Sequence, residues 1–165
     1  MEYIIRPVAD PDGEAVVNIF NYYVSHSFAA FPEEQVGPEF FRKLKKLSKG
    51  YPFYIIETED EIVGFGLMRP YQRFKVFRRT AELTYFILPD HLRKGLGTRL
   101  LLMLTDEARK LGIDTVVATL SSLNSISFNF HKKHGFNEYC VLKRVGQKFG
   151  KDFDVIYMQK FLDQS

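Results

Sequence analysis

The residues best suited to chemistry lie in one strand, in the turn after it and in a short helix downstream. Arg93-Lys94-Gly95-Leu96-Gly97-Thr98 is a basic, glycine-rich turn between a strand pattern and a helix pattern. The start of a helix presents backbone N–H groups with no intrahelical partner, and the helix dipole adds partial positive charge there. Gly95 and Gly97 have no side chains to hold an anion away from those amides, and Arg93 and Lys94 add full charges. That combination suits a pyrophosphate. Upstream, Glu82 stands in the strand pattern Thr80-Ala81-Glu82-Leu83-Thr84-Tyr85-Phe86. A carboxylate in a largely apolar strand is costly without a partner or a task, and a positioned carboxylate can accept a proton. Two readings stay open: a general base, or an edge-strand Glu paired with Arg78 or Arg79. Downstream, Asn124, Ser127 and His131 share one helical face. Asn124 suits a helix N-cap, and an imidazole with an ordinary pKa of about 6.5 suits either proton transfer or a structural role.

These residues need elements to hold them. Residues 3–7 read as a strand, and Asp10-Pro11 starts a helix that fades near Ser25. A second helix begins near Pro38 with Phe40, Phe41, Leu44 and Leu47 on its apolar face and ends at Gly50. Residues 53–58 and 61–68 form a hairpin, residues 69–79 a basic, aromatic loop, and residues 80–88 a third long strand. The amphipathic helix after the turn ends at Gly112. A buried strand (115–120), a short helix (124–134) and two last strands (136–145 and 153–161) follow. The order β-α-α-β-β-β-α-β-α-β-β predicts an α/β (α+β) chain with a mixed sheet and helices on both faces.

Composition narrows the classes. The chain has 165 residues, 45% of them hydrophobic and 26% charged, which favours one globular domain spanning 1–165. No apolar run spans a bilayer and no signal peptide opens the chain, so a cytoplasmic location is the default expectation. Cys140 is the one cysteine, which excludes an internal disulfide and a cysteine-rich zinc site. In its strand it reads as a small core residue. His26, His91, His131 and His134 show no tight metal-ligand spacing with carboxylates, since the His131/His134 pair has only Glu138 nearby, so no metal is expected. A net charge of +3 is too small to imply nucleic acid. A P-loop would need Gly-x-x-x-x-Gly-Lys-Ser/Thr, and a dinucleotide fingerprint would need a third glycine where Leu100 stands.

Leu92-Arg93-Lys94-Gly95-Leu96-Gly97 resembles the Gln/Arg-x-x-Gly-x-Gly/Ala motif of the GNAT superfamily of N-acetyltransferases, with Leu92 in place of the polar first residue. The element order resembles that fold over nearly the whole chain. The segments Ile5-Arg6-Pro7, Ala30-Phe31, Tyr51-Pro52-Phe53, Thr80-Ala81-Glu82, 124–136 and Val145-Gly146-Gln147-Lys148-Phe149-Gly150 narrow the likeness to the phosphinothricin and amino-acid N-acetyltransferase branch.

The resemblance implies a mostly antiparallel central sheet of seven strands and acetyl-CoA as co-substrate. Glu82 falls where the branch has its catalytic Glu, and His131 where relatives carry the group that protonates the leaving thiolate. The backbone of Phe86, Ile87 and Leu88 would pair with the pantetheine arm and supply the oxyanion donor. The 93–98 turn would hold the pyrophosphate, Asn124 and Ser127 would meet the arm, and Lys133 the phosphate end. Candidates for the acceptor pocket are Phe28, Phe31, Tyr71, Phe74 and Phe77 as walls, with Arg73, Lys75 and Arg78 for a substrate carboxylate. The expected partner is a small-molecule amine rather than nucleic acid or a membrane, and relatives in the branch are often homodimers. Alternatives are a protein or peptide N-acetyltransferase and a sensor that binds acetyl-CoA without turnover.

Overall fold

Apolar periodicity alternates along the chain between two residues and about 3.6, and the computed structural model, which describes residues 1–162, follows those changes. The order is β1 (Ile4–Pro7), α1 (Gly13–His26), α2 (Glu39–Leu47), β2 (Phe53–Glu57), β3 (Ile62–Pro70), β4 (Thr80–Ile87), α3 (Leu96–Lys110), β5 (Thr115–Ser121), α4 (Ser125–Lys133), β6 (Asn137–Lys148) and β7 (Lys151–Phe161). Short 3-10 turns precede α1, interrupt the loop before β4 at Lys75–Phe77, and lead into the turn before α3.

The strands form one seven-stranded sheet in the order β1-β2-β3-β4-β5-β7-β6. Every neighbouring pair is antiparallel except β4 and β5. Strand alternation gives the sheet two apolar faces. On one, Phe53, Ile55, Phe65 and Leu67 pack against Val16, Ile19, Phe20 and Val24 of α1 and against Phe41 and Leu44 of α2. On the other, Met68, Leu83, Ile87, Val116, Ala118 and Met158 pack against Leu96, Leu100, Leu104 and Ala108 of α3. The mixed, mostly antiparallel sheet covered on both faces is the architecture expected.

Two details differ from the sequence reading. The last strands run to Lys148 and start again at Lys151, because Phe149 (φ 53°) and Gly150 (φ 72°) make a two-residue turn with both residues left-handed. Phe-Gly lacks the Asn-Gly signal, and the polar residues around it masked the strand ends. Cys140 is exposed rather than buried, because β6 is an edge strand whose residues face mostly solvent.

Leu100, fully buried, sits directly over Gly66 of β3. A Cβ at that glycine would stand 2.7 Å from Leu100 Cδ2 and 3.0 Å from Tyr85 Cβ. This close approach sets the height of α3 above the sheet, and with it the position of the turn before α3. Gly66→Ala should therefore cost about 1–3 kcal/mol of stability in urea unfolding; an unchanged midpoint would mean that α3 is free to shift.

Candidate active site

The site begins where the sheet comes apart. β4 pairs with β5 only at Thr80, Ala81 and Glu82, opposite Thr115, Val116 and Val117. Beyond that, residues 83–87 and 118–121 diverge, while β3 and β7 keep pairing with their outer sides. Backbone polar groups that face such a gap need a partner. The Leu88 N–H donates to the Val63 carbonyl at 2.8 Å. In an antiparallel ladder alternate residues turn their N–H and C=O the same way. Phe86 therefore shares the orientation of Leu88 towards β3, and Tyr85 and Ile87 turn theirs to the gap. This corrects the expectation that Phe86, Ile87 and Leu88 all offer their backbone: Ile87 does, Phe86 and Leu88 do not, and Tyr85 was missed. The Ile87 carbonyl is taken by the Tyr23 hydroxyl, whose pKa burial pushes up to about 12, so that it remains a donor.

The gap leads to the glycine-rich turn. Arg93 is left-handed at φ 60°, an uncommon conformation for a residue with a side chain. Gly95, the N-cap of α3, has φ 77°, and nothing lies within 4 Å of where its Cβ would be. The first intrahelical bond of α3 is donated by the Arg99 N–H to Gly95, at 3.1 Å. The amides of Leu96, Gly97 and Thr98 are thus the unpaired first donors of the helix, beside an open glycine. Leu92 packs against the core, which explains an apolar residue at that position. The Thr98 hydroxyl pairs with His134 Nε2 at 3.0 Å, and Lys94 Nζ donates to the Tyr3 hydroxyl at 3.2 Å. Both side chains are tied back to the protein. Arg93 and Lys133 are exposed.

Glu82 lies on β4 directly across from Arg69 of β3. Arg69 reaches it through Nε at 3.1 Å and a terminal guanidinium nitrogen at 2.8 Å, both on Oε2. Among the described residues, Oε1 accepts no hydrogen bond. The partner is therefore neither Arg78 nor Arg79, and β4 is no edge strand. Arg78 donates to the Lys75 carbonyl and Arg79 pairs with Asp114. Cross-strand pairing selects Arg69, and the pairing depends on a register that the sequence alone does not reveal.

On the opposite face of β4, Tyr85 meets α4. The His131 Nδ1 lies 2.7 Å from the Ser127 carbonyl, which can only accept, so Nδ1 carries the proton. Nε2 is then the acceptor for the Tyr85 hydroxyl. His131 is 3% exposed, and burial lowers its pKa to about 4. Burial likewise raises the Tyr85 phenol far above its ordinary range. This corrects the expectation for His131: it is neutral near pH 7, its one ring proton is committed, and it fixes Tyr85. Asn124 Oδ1 caps α4 by accepting from the Ser127 N–H at 3.2 Å.

The expected acceptor residues fall into two groups. Phe28 and Phe31 pack with Phe153, and Phe28 also meets Phe149. The sequence reading gives neither Phe149 nor Phe153 a place in the acceptor pocket. Tyr71 and Phe77 make an edge-to-face pair, 5.7 Å between ring centres, in the exposed loop that also carries Arg73 and Lys75. Among the described residues no aromatic contact joins the two groups. Nor do any three His, Cys, Asp or Glu side chains there gather as a metal ion would require, and no helix among the described residues is long and apolar enough to cross a membrane.

Residues 16–136 match the model of the Acetyltransferase (GNAT) family. The L-amino acid N-acyltransferase MnaT of Escherichia coli is 32% identical over 163 residues, covering 97% of this chain and 94% of that protein. A phosphinothricin N-acetyltransferase of Streptomyces viridochromogenes is 30% identical over 157 residues, covering 94% and 86%. Among solved structures, the yncA protein of Salmonella typhimurium with its cofactor acetyl-CoA has a TM-score of 0.90 and 32% identity, covering 99% of this chain and 95% of that one.

Burial of neutral His131 makes a pH prediction. A folded-state pKa near 4 against an ordinary 6.5 means that the unfolded chain binds the extra proton between those values. The stabilisation is whole above pH 6.5 and is lost as pH falls towards 4. By about pH 4.5 the loss is on the order of 2–3 kcal/mol. Urea unfolding at about pH 7.5 and about 4.5 checks it: wild type should lose that much more than His131→Gln, and equal losses would contradict a buried neutral ring.

Proposed function

The chain belongs to the acetyltransferase (GNAT) family, and on that premise we propose that it transfers an acetyl group from acetyl-CoA to the primary amine of an amino acid or close analogue, of the phosphinothricin or methionine sulfone type, with Glu82 as general base. The observation that carries this reading is the β4–β5 gap, with free backbone groups on β4, opening onto an anion-ready helix start. The gap offers Tyr85 and Ile87 amides to an extended amide-bearing arm, and the 93–98 turn offers N–H groups to a pyrophosphate.

The co-substrate supplies the acetyl group as a thioester. The protein's part is to deliver a neutral amine and to stabilise charge. An ammonium group cannot attack, so its proton passes to Oε1 of Glu82, directly or through a water. Arg69 holds Oε2, which leaves the other oxygen aimed and unengaged. An amide of Tyr85 or Ile87 meets the thioester carbonyl oxygen as negative charge develops there. The departing sulfur takes the proton that the attacking nitrogen sheds as the amide forms, because the one hydroxyl hydrogen of Tyr85 is already donated to Nε2 of His131.

Phe28 and Phe31 with Phe153 form an apolar wall for the acceptor's side chain, and Arg73, Lys75 and Arg78 meet its carboxylate. The enzyme acts as a single domain in the cytoplasm, on a small molecule rather than on nucleic acid or a membrane. A homodimer is supported by the outer strand β6, where Tyr139, Leu142 and Val145 are 60%, 42% and 55% exposed.

Thiol release from acetyl-CoA against free amino acids, methionine sulfone, phosphinothricin, polyamines and peptides tests the reading. Turnover is expected with one or more of the amino-acid-like amines and not with peptides. Glu82→Gln should lower turnover by about 10²–10⁴-fold and leave acetyl-CoA affinity within about twofold. Unchanged turnover would remove Glu82 from the mechanism, and failure to bind acetyl-CoA would overturn the reading as a whole.

A further inference from the structure

The end of the β6–β7 hairpin closes on the loop that follows α1. Lys148, near that end, is 1% exposed. Its Nζ donates to the Ser27 carbonyl at 2.7 Å and to the Ala30 carbonyl at 2.6 Å, and lies 4.9 Å from the centre of the Phe149 ring. Burial pushes this ammonium below its ordinary pKa, with the Glu33 charge opposing. Burying a charge without a carboxylate in contact is expensive. What the charge gains here is a grip on main chain. Ser27 is the C-cap of α1, where the helix dipole favours a cation, and Ala30 lies in the middle of the following loop.

The neighbours of Lys148 hold the same loop from the side. The Phe149 N–H donates to Glu33 Oε1 at 3.2 Å. Phe153 stacks on Phe31, with ring centres 5.8 Å apart and 12° between planes. Phe28 meets Phe149 and Phe153 at 5.8 and 6.1 Å. A Cβ at Gly146 would lie 2.2 Å from Phe153 Cζ, so the ring has its place only because residue 146 has no side chain. The hydrogen bonds thus fix the loop's backbone and the rings fix its side chains.

We propose that Lys148 is a positioning residue for acceptor selection, gripping the Ser27 and Ala30 carbonyls so that Phe28 and Phe31 stand as a fixed wall for the side chain of the acceptor amine. The proposal rests on the reading of that loop as part of the acceptor pocket. Lys148 acts through the loop and touches neither the amine nor acetyl-CoA. Its loss should therefore weaken one substrate and spare the other, whereas a general loss of fold would weaken both.

The test is steady-state kinetics of Lys148→Met, Lys148→Gln and Phe31→Ala on the best amine from the thiol-release panel, alongside limited chymotrypsin digestion and melting temperature. Phe31→Ala probes the pocket reading by itself. Lys148→Met should raise the amine KM about tenfold or more and leave the acetyl-CoA KM within about twofold. Lys148→Gln, which keeps an N–H donor, should fall between Met and wild type, and chymotrypsin should cut after Phe28 or Phe31 faster in the Met variant. If Lys148→Met does not fold, the Gln variant carries the same comparison. A raised amine KM in Phe31→Ala with none in either Lys148 variant overturns the role of Lys148 and leaves the pocket in place. Equal rises in both KM values also overturn it. No change in any of the three variants removes the loop from the pocket, and the proposal falls with it.

Discussion

Backbone amides and carbonyls must find partners, and the rest of this structure depends on one place where the sheet withholds them. Between β4 and β5 the ladder stops after Glu82 and Val117, although both strands continue. The gap is held open from outside. β3 pairs with β4 along its length, β7 pairs with β5 along its length, and the Tyr23 hydroxyl occupies the Ile87 carbonyl. The amides left on the gap side are pre-positioned for a ligand backbone that can replace a strand.

Each face of β4 then contributes one supported polar group. On the α1–α2 side, Arg69 binds a single oxygen of Glu82 and leaves the other unengaged. On the α3–α4 side, the Ser127 carbonyl fixes the tautomer of His131, and His131 fixes the Tyr85 hydroxyl. Both arrangements are pairs in which one member does the positioning. The buried histidine costs stability when it must accept a proton, so the helix that carries it is firmest near neutral pH. Lys148 repeats the pattern further out, with a buried cation spent on holding a loop.

Much of this was legible in the sequence, and the exceptions share a cause. Helix and strand periodicity located α3, the β2–β3 hairpin and β4 closely, and the Gly95-Leu96-Gly97 turn stood out because its backbone conformation needs glycine at residue 95. What escaped was pairwise. The Arg69–Glu82 pair depends on strand register, and the Tyr85–His131 bond joins residues 46 positions apart. The contacts of Phe149 and Phe153 with the 27–33 loop span more than 100 positions, as the Phe149–Glu33 separation of 116 shows. Periodicity reports which way a side chain points relative to its own element and carries nothing about which element lies opposite. The same limit misassigned Cys140, since a strand's apolar pattern does not say whether that strand is at the edge.

The most direct test of the central claim is residue-resolved amide hydrogen exchange by NMR, with and without saturating acetyl-CoA. The account predicts new protection at Tyr85 and Ile87 in the gap and at residues 96–98 in the turn. Phe86 and Leu88, already bonded to β3, should change little. Saturation by acetyl-CoA with no protection at Tyr85 or Ile87 would contradict it.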